Sequence, residues 1–256
     1  MHDLILHGGT VIDGTGGDRY TADVGLSGDR ITAIGDLSEA DAVRRIDVSG
    51  RIVAPGFIDV HNHSDGWLLK RPHFLPKTSQ GFTTEVLMLD GISYAPVRPD
   101  TARQWLFYLR GLNALRLEEY RGWESIGEFL AEFDRAAAQN VVGQVPYANV
   151  RSLVCGFGKH WVDDLQMKMI QTEVHRGMQE GAVGIATGLD YIVQCYTTTD
   201  ELVEACKVIA EYDGVYTTHV RYKKGIIDGI REAVEIGKRS GCRVHISHVK
   251  GRDEQT

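Results

Sequence analysis

From residue 54 onward, short apolar runs alternate with longer segments of helical period, and no other feature of the chain restricts its fold as much. The runs occupy residues 53–61, 83–89, 141–145, 182–187, 214–219 and 243–248. Between them lie helix candidates such as 125–138, 165–179, 200–212 and 226–240. Thr199-Asp200-Glu201 offers the third of these an N-cap and an acidic first turn, and Gly241 stops the last. Strand-helix alternation of this kind predicts a parallel sheet with helix crossovers. About six units are present, two short of a closed eight-stranded barrel. An open doubly wound sheet has the same rhythm, and the pattern alone does not choose between them.

Residues 1–53 read differently. "DLILHGGTVID", "ADVGLSGDRITAIG" and "RRIDVSGRIVA" alternate apolar and polar residues between Gly-rich turn signals, as half-buried strands do. Ser27-Gly28-Asp29-Arg30 predicts a tight hairpin between residues 22–26 and 31–34. The net charge of -7 argues against nucleic acid or an anionic membrane as the main partner, since both favour a basic face. Apolar runs are strand-sized, so no membrane-spanning helix is expected, and "MHDLILHGGT" lacks the form of a signal peptide. Cys155, Cys195, Cys206 and Cys242 are scattered without a CxxC pair, which reads as reduced thiols of a cytoplasmic protein.

The chemistry concentrates at strand ends. In "PGFIDVHNHSD" the first core strand leads into His61 and His63, which as residues two apart project from one face. Active sites of parallel α/β folds assemble at that end of the strands, and neutral imidazole is a common ligand for zinc-like metals. Asp65 follows as an outer acceptor. His219 ends "GVYTTHV" and His248 ends "RVHISHV". On that last strand Val244, Ile246 and His248 share a face. An apolar pair facing the core would carry His248 inward and leave His245 toward a helix or solvent. Asp90, in "MLDG", ends the second strand, where a carboxylate can bridge two ions or simply close an Asp-Gly turn. Glu85 lies at the other end of that strand.

These residues carry a resemblance. "PGFIDVHNHSD" resembles the first-strand signature of the amidohydrolase superfamily. "QGFTTEVLMLDGIS", "EGAVGIATGLDYIVQCYTTTDELVEACKVIAEYDGVYTTHVR" and "EAVEIGKRSGCRVHISHVKG" look like the N-acyl-D-amino-acid deacylase (D-aminoacylase) family, over about residues 3–252. The resemblance implies an α/β fold: an incomplete TIM-like (β/α)8 amidohydrolase barrel of about six strands over 54–256, with residues 1–53 as a small N-terminal β-sandwich portion. It implies zinc, one or two ions, held by His61, His63, His219 and His248. Asp90 stands where the family often has cysteine. The implied reaction is hydrolysis of the amide of an N-acyl-D-amino acid by metal-activated water, with a strand-eight aspartate moving the proton. That aspartate is expected beyond Thr256, so no catalytic residue is assigned. Lys250 is the first choice for the substrate carboxylate, Arg221 the second, and Tyr191 is expected to line the pocket.

The alternatives are an inactive fragment or pseudoenzyme that binds metal, a half complemented by another chain, and a dihydroorotase- or hydantoinase-like cyclic amidase; the partner expected is a complementing C-terminal half or, in a homo-oligomer, a further copy. No lysine occupies a strand end in 182–187, which weighs against the last. Little or no activity is expected of the isolated 256-residue chain.

Overall fold

The structure, a computed structural model, describes residues 1–158 and 161–250. Residues 251–256, the tail of the region assigned to the barrel, lie outside the described residues. The chain divides into two units, Met1–Phe57 and Ile58–Thr256.

In the first unit, β1 (His2–Val11) is the central strand. β2 (Tyr20–Ser27) pairs antiparallel with it and turns through Gly28-Asp29 into β3 (Arg30–Gly35). Gly28 adopts φ 58°, the left-handed backbone that a two-residue hairpin loop demands. β4 (Ala42–Asp47) and β5 (Ile52–Val53) pair parallel with β1, so the unit is one mixed sheet. Ile5, Val11 and Val24 are buried, and Ile31, Ile34 and Val43 are exposed.

The second unit alternates strand and helix. The elements are β6 (Phe57–Asp59), α1 (Asp65–Lys70), α2 (Leu75–Thr78), β7 (Phe82–Leu87), α3 (Pro99–Leu109), α4 (Ile126–Ala131), β8 (Asn140–Gly143), β9 (Val145–Pro146), α5 (Tyr147–Cys155) and α6 (Asp164–Gln179). There follow β10 (Gly184–Gly188), α7 (Thr199–Ala210), β11 (Val215–His219), α8 (Ile226–Ser240) and β12 (Arg243–Ile246). β6, β7 and β8 form one sheet, and β9, β10, β11 and β12 another, each in sequence order. Only Gln144 separates β8 from β9, so the two segments are one bent strand and the unit presents six strand positions in chain order, those from β7 onward paired parallel. This is part of an α/β barrel wall.

Local chemistry explains most boundaries. Thr198, not Thr199, caps α7, accepting from the Glu201 N–H at 3.1 Å. Ser125 and Glu128 form a reciprocal capping box on α4, but that helix ends at Ala131, well short of the expected 138. Gly241, at φ 80°, ends α8 as expected. The buried Arg151 guanidinium on α5 meets Glu201 on α7 at 2.8 Å, and the Tyr147 hydroxyl donates to the same carboxylate at 2.7 Å. Among the described residues, no helix is long and apolar enough to cross a membrane.

One backbone contact constrains the sheet sharply. A Cβ added at Gly184 would collide with the backbone carbonyl oxygen of Val215, its partner in β11. Gly184→Ala is therefore expected to force the two strands apart and cost about 1–3 kcal/mol, read as a lower urea midpoint at unchanged slope.

Candidate metal centre

His61 and His63 are set by turns rather than by strand pleating. β6 ends at Asp59, whose carboxylate accepts from the His61 N–H at 3.2 Å. Between the two histidines, the Asn62 side chain donates to the Val86 carbonyl at 3.1 Å and accepts from the Ser64 N–H at 3.0 Å. The Asx turns that these bonds close fix the local backbone and tie it to β7. The strand is thus shorter than the apolar run of 53–61 suggests.

Asp90 stands just past β7 on a tight, partly left-handed loop. Met88, Asp90 and Gly91 have φ of 65°, 53° and 68°. Aspartate and glycine tolerate that region; methionine does not favour it and is held there. The Met88 N–H donates to Asp65 Oδ1 at 3.3 Å, and Ser93 Oγ donates to the same oxygen at 2.5 Å. Gln194 Nε2 donates to the Asp90 carbonyl at 2.7 Å, while Gln194 Oε1 accepts from the Gly188 N–H at the end of β10. The loop is pinned from both sides, and the Asp90 side chain is buried beneath it.

His219 arrives by alternation. Thr217 lines the inner face of β11, and His219 follows two residues later at its end. His248 arrives differently, and the expected facing of its strand is reversed. Val244 packs over Gly237 of α8, while His245 lines a cavity of about 470 Å³ with Val60, Val86, Gln144 and Thr217. The pleat places 244 and 246 on the helix side. β12 ends at Ile246, and a turn at His248, with φ 34°, swings that imidazole to the site.

The four imidazoles surround one carboxylate. His61 Nε2 and His248 Nε2 each lie 3.7 Å from Asp90 Oδ1. His63 Nε2 lies 3.5 Å and His219 Nδ1 3.7 Å from Asp90 Oδ2. These separations are too long for good hydrogen bonds. They come close to the spacing of two ligands on a shared ion, since ligands bound tetrahedrally at about 2.0–2.2 Å stand roughly 3.3–3.6 Å apart. Two triads meet at Asp90: His61 with His63, and His219 with His248. Asp90 Oδ1 is buried without a hydrogen-bond partner among the described residues, an acceptor that a cation would satisfy. The residues therefore fit a binuclear metal-binding site bridged by Asp90.

Protonation states agree at His61 and His219. Burial pushes the His61 pKa down to about 4 and lowers that of His219, with Asp90 opposing in both, so both rings favour the neutral form that metals require. Burial also opposes charge on His63, but the close Asp90 carboxylate, with that of Asp65, holds its pKa above the ordinary value. Burial works against the Asp90 anion too, yet the nearby His63 ring and the other imidazoles keep its pKa below the usual carboxylate range.

Beyond the five expected ligands, the surroundings diverge from the sequence reading. The Tyr191 hydroxyl lies 3.3 Å from His219 Nδ1. Lys250 is exposed just past the turn at His248. Arg221 is buried and committed elsewhere. Its guanidinium donates to both oxygens of Glu232, at 3.0 and 3.3 Å, and to the carbonyls of Leu189, Cys195 and Thr197. All five of its N–H groups face acceptors within the protein, which leaves none for a substrate carboxylate. Glu85 stays away from the cluster, accepting from Gln139 at 2.8 Å. Two neighbours were not anticipated. Asp190 Oδ2 stands 3.6 Å from His219 Nε2, and the Tyr222 hydroxyl lies 3.3 Å from His248 Nδ1 and donates to the His248 carbonyl at 3.0 Å. The available signal for Asp190 was its place in "GLDY", two residues past the end of β10.

No family model matches the chain. It is 38% identical over 249 residues to D-aminoacylase of Alcaligenes xylosoxydans xylosoxydans, covering 97% of this chain and 50% of that protein. A crystal structure of D-aminoacylase superposes with a TM-score of 0.85 at 35% identity, covering all of this chain and 53% of the other. The zinc- and phosphonate-bound N-acyl-D-glutamate deacylase of Bordetella bronchiseptica superposes with a TM-score of 0.89 at 33% identity and the same coverage. The chain thus spans about half the length of the curated relatives it matches.

Proposed function

The chain belongs to the D-aminoacylase/N-acyl-D-amino-acid deacylase family of the amidohydrolase superfamily, and on that premise we propose that it contributes the metal centre for hydrolysis of the amide bond of N-acyl-D-amino acids. The observation that carries this reading is the buried Asp90 carboxylate ringed by four imidazole nitrogens at 3.5–3.7 Å. Zinc is the ion proposed, with His61, His63, Asp90, His219 and His248 as its ligands. Such an ion polarises an amide carbonyl and makes water nucleophilic near neutral pH.

The chain's own residues divide the remaining work. Asp90 supplies fixed negative charge between the two triads. Tyr191, half-buried against His219, forms a wall of the pocket beside the reacting amide. Lys250 is the cation proposed for the substrate carboxylate, since the Arg221 guanidinium is fully engaged. Proton transfer to the departing amine is assigned to no residue of this chain.

The test is hydrolysis of N-acetyl-D-amino acids by zinc-loaded protein that joins this chain to the remainder of a family-length enzyme. The L enantiomers and a cyclic hydantoin serve as controls. Expected is release of the free D-amino acid, abolished by a chelator and restored by zinc. Stoichiometric zinc with no hydrolysis in that assembly would favour a metal-binding protein without catalytic function, and hydantoin opening in its place would favour a cyclic amidase.

A further inference from the structure

The four histidines do not present the same atom to Asp90. His61, His63 and His248 offer Nε2, whereas His219 offers Nδ1. A neutral imidazole can bind a metal only through the nitrogen that lacks the proton, so the tautomer of His219 decides whether it is a ligand at all. Left to Asp90 alone, the choice goes the wrong way. Asp90 Oδ2, 3.7 Å from Nδ1, attracts the proton to the very nitrogen that faces the site. A second carboxylate opposes it, with Asp190 Oδ2 3.6 Å from Nε2 on the far side of the ring.

Resting on the metal centre proposed above, we infer that Asp190 is a positioning residue: its carboxylate keeps the His219 proton on Nε2 and leaves the Nδ1 lone pair for an ion. The pair stands slightly long for a hydrogen bond, but the electrostatic preference is the same, because a carboxylate favours an N–H on the nearer nitrogen. Outer carboxylates that orient ligating histidines act in this way elsewhere.

The surrounding structure holds Asp190 in that position. The Lys223 N–H donates to Asp190 Oδ1 at 3.3 Å, and Lys223 Nζ donates to the Asp190 carbonyl at 3.3 Å. The preceding Leu189 donates its N–H to the His219 carbonyl at 2.9 Å, so the two residues ride on one hydrogen-bonded frame. Arg221 closes the frame through the Leu189 carbonyl. The other two kinds of outer contact differ. His248 Nδ1 faces a neutral phenol, and the Nδ1 atoms of His61 and His63 have no hydrogen-bond partner among the described residues. Among the described residues, His219 is thus the ligand whose outer nitrogen faces a carboxylate, that of Asp190.

The test compares Asp190→Leu and Asp190→Asn with the parent chain by equilibrium dialysis against graded free Zn²⁺, with metal per chain counted by mass spectrometry. Visible absorption of the Co²⁺-loaded proteins and melting of the metal-free proteins are read in parallel. Expected for the leucine variant is a roughly 10–100-fold weaker affinity at one of the two ions, a changed cobalt spectrum and unchanged metal-free melting. The asparagine variant, which keeps a neutral acceptor, should recover part of the loss. Unchanged zinc affinity in the leucine variant overturns the inference, as do equal losses in both variants or a matching fall in metal-free stability. A parent chain that binds no zinc fails the metal-centre reading itself, whereas a parent that binds and a leucine variant that binds equally fail only this inference.

Discussion

Asp90→Ala is expected to lower zinc binding at both positions together, and by more than any single histidine substitution. Each histidine belongs to one triad, but Asp90 belongs to both. It also carries the one negative charge of the cluster, in a buried setting where its side chain is only 3% exposed. Removing one partner from a buried charge pair costs about 3–5 kcal/mol, because the partner is left uncompensated. As a binding effect that corresponds to roughly two to four orders of magnitude in affinity at each ion. Metal per chain after dialysis should fall from two toward zero in Asp90→Ala. His219→Ala should retain the His61/His63 position and fall only toward one. Asp90→Cys places there the thiol that the family resemblance implies, and should keep at least one ion by substituting thiolate for carboxylate. Two ions retained by Asp90→Ala would mean that the imidazoles alone hold the metals and that Asp90 is only the turn residue its Asp-Gly context suggests.

What was legible in the sequence follows from what is local. The ends of β7 and β11 were readable because apolar runs stop there, and the positions of Asp90 and His219 follow from where those runs stop. The hairpin at Gly28-Asp29 was readable because only a few residue pairs adopt its backbone. The facing of β12 was not. Parity assumes a strand that continues, and β12 stops two residues before His248, after which a left-handed turn sets the direction. The same limit hid the Asx turns at His61 and His63, where Asn62 counts for more than the strand before it. Arg221 and Asp190 depended on partners far away in sequence. A guanidinium two residues past a ligand looks available for substrate until Glu232 and three carbonyls from the 189–197 segment are found around it. Nothing in "THVR" announces those acceptors.

That commitment makes Arg221→Leu the second large effect, and one of stability. The Arg221 and Glu232 side chains are 7% and 8% exposed, so the pair is screened little by solvent. Loss of the guanidinium leaves the Glu232 carboxylate with one donor among the described residues, the Thr199 hydroxyl at 3.0 Å, and unpairs the carbonyls of Leu189, Cys195 and Thr197. Breaking a buried pair of this kind costs about 3–5 kcal/mol. In a domain of this size each kcal/mol moves the melting temperature by about 2–4 °C, so a fall of roughly 6–20 °C is expected. Arg221→Lys should recover little, since an ammonium has three donors where five acceptor contacts are to be met. Arg221→Leu combined with Glu232→Leu should recover much of it, since apolar packing removes the stranded charge. The two roles considered for Arg221 separate on this measurement. A bracing residue moves the melting temperature, and zinc affinity falls with it as the Leu189–Tyr191 segment loosens around His219. A substrate-binding residue leaves melting within about 2 °C of the parent, less than the shift expected for 1 kcal/mol, and raises KM for the N-acyl-D-amino acid alone. With all five N–H groups already facing acceptors inside the protein, the first outcome is the expected one.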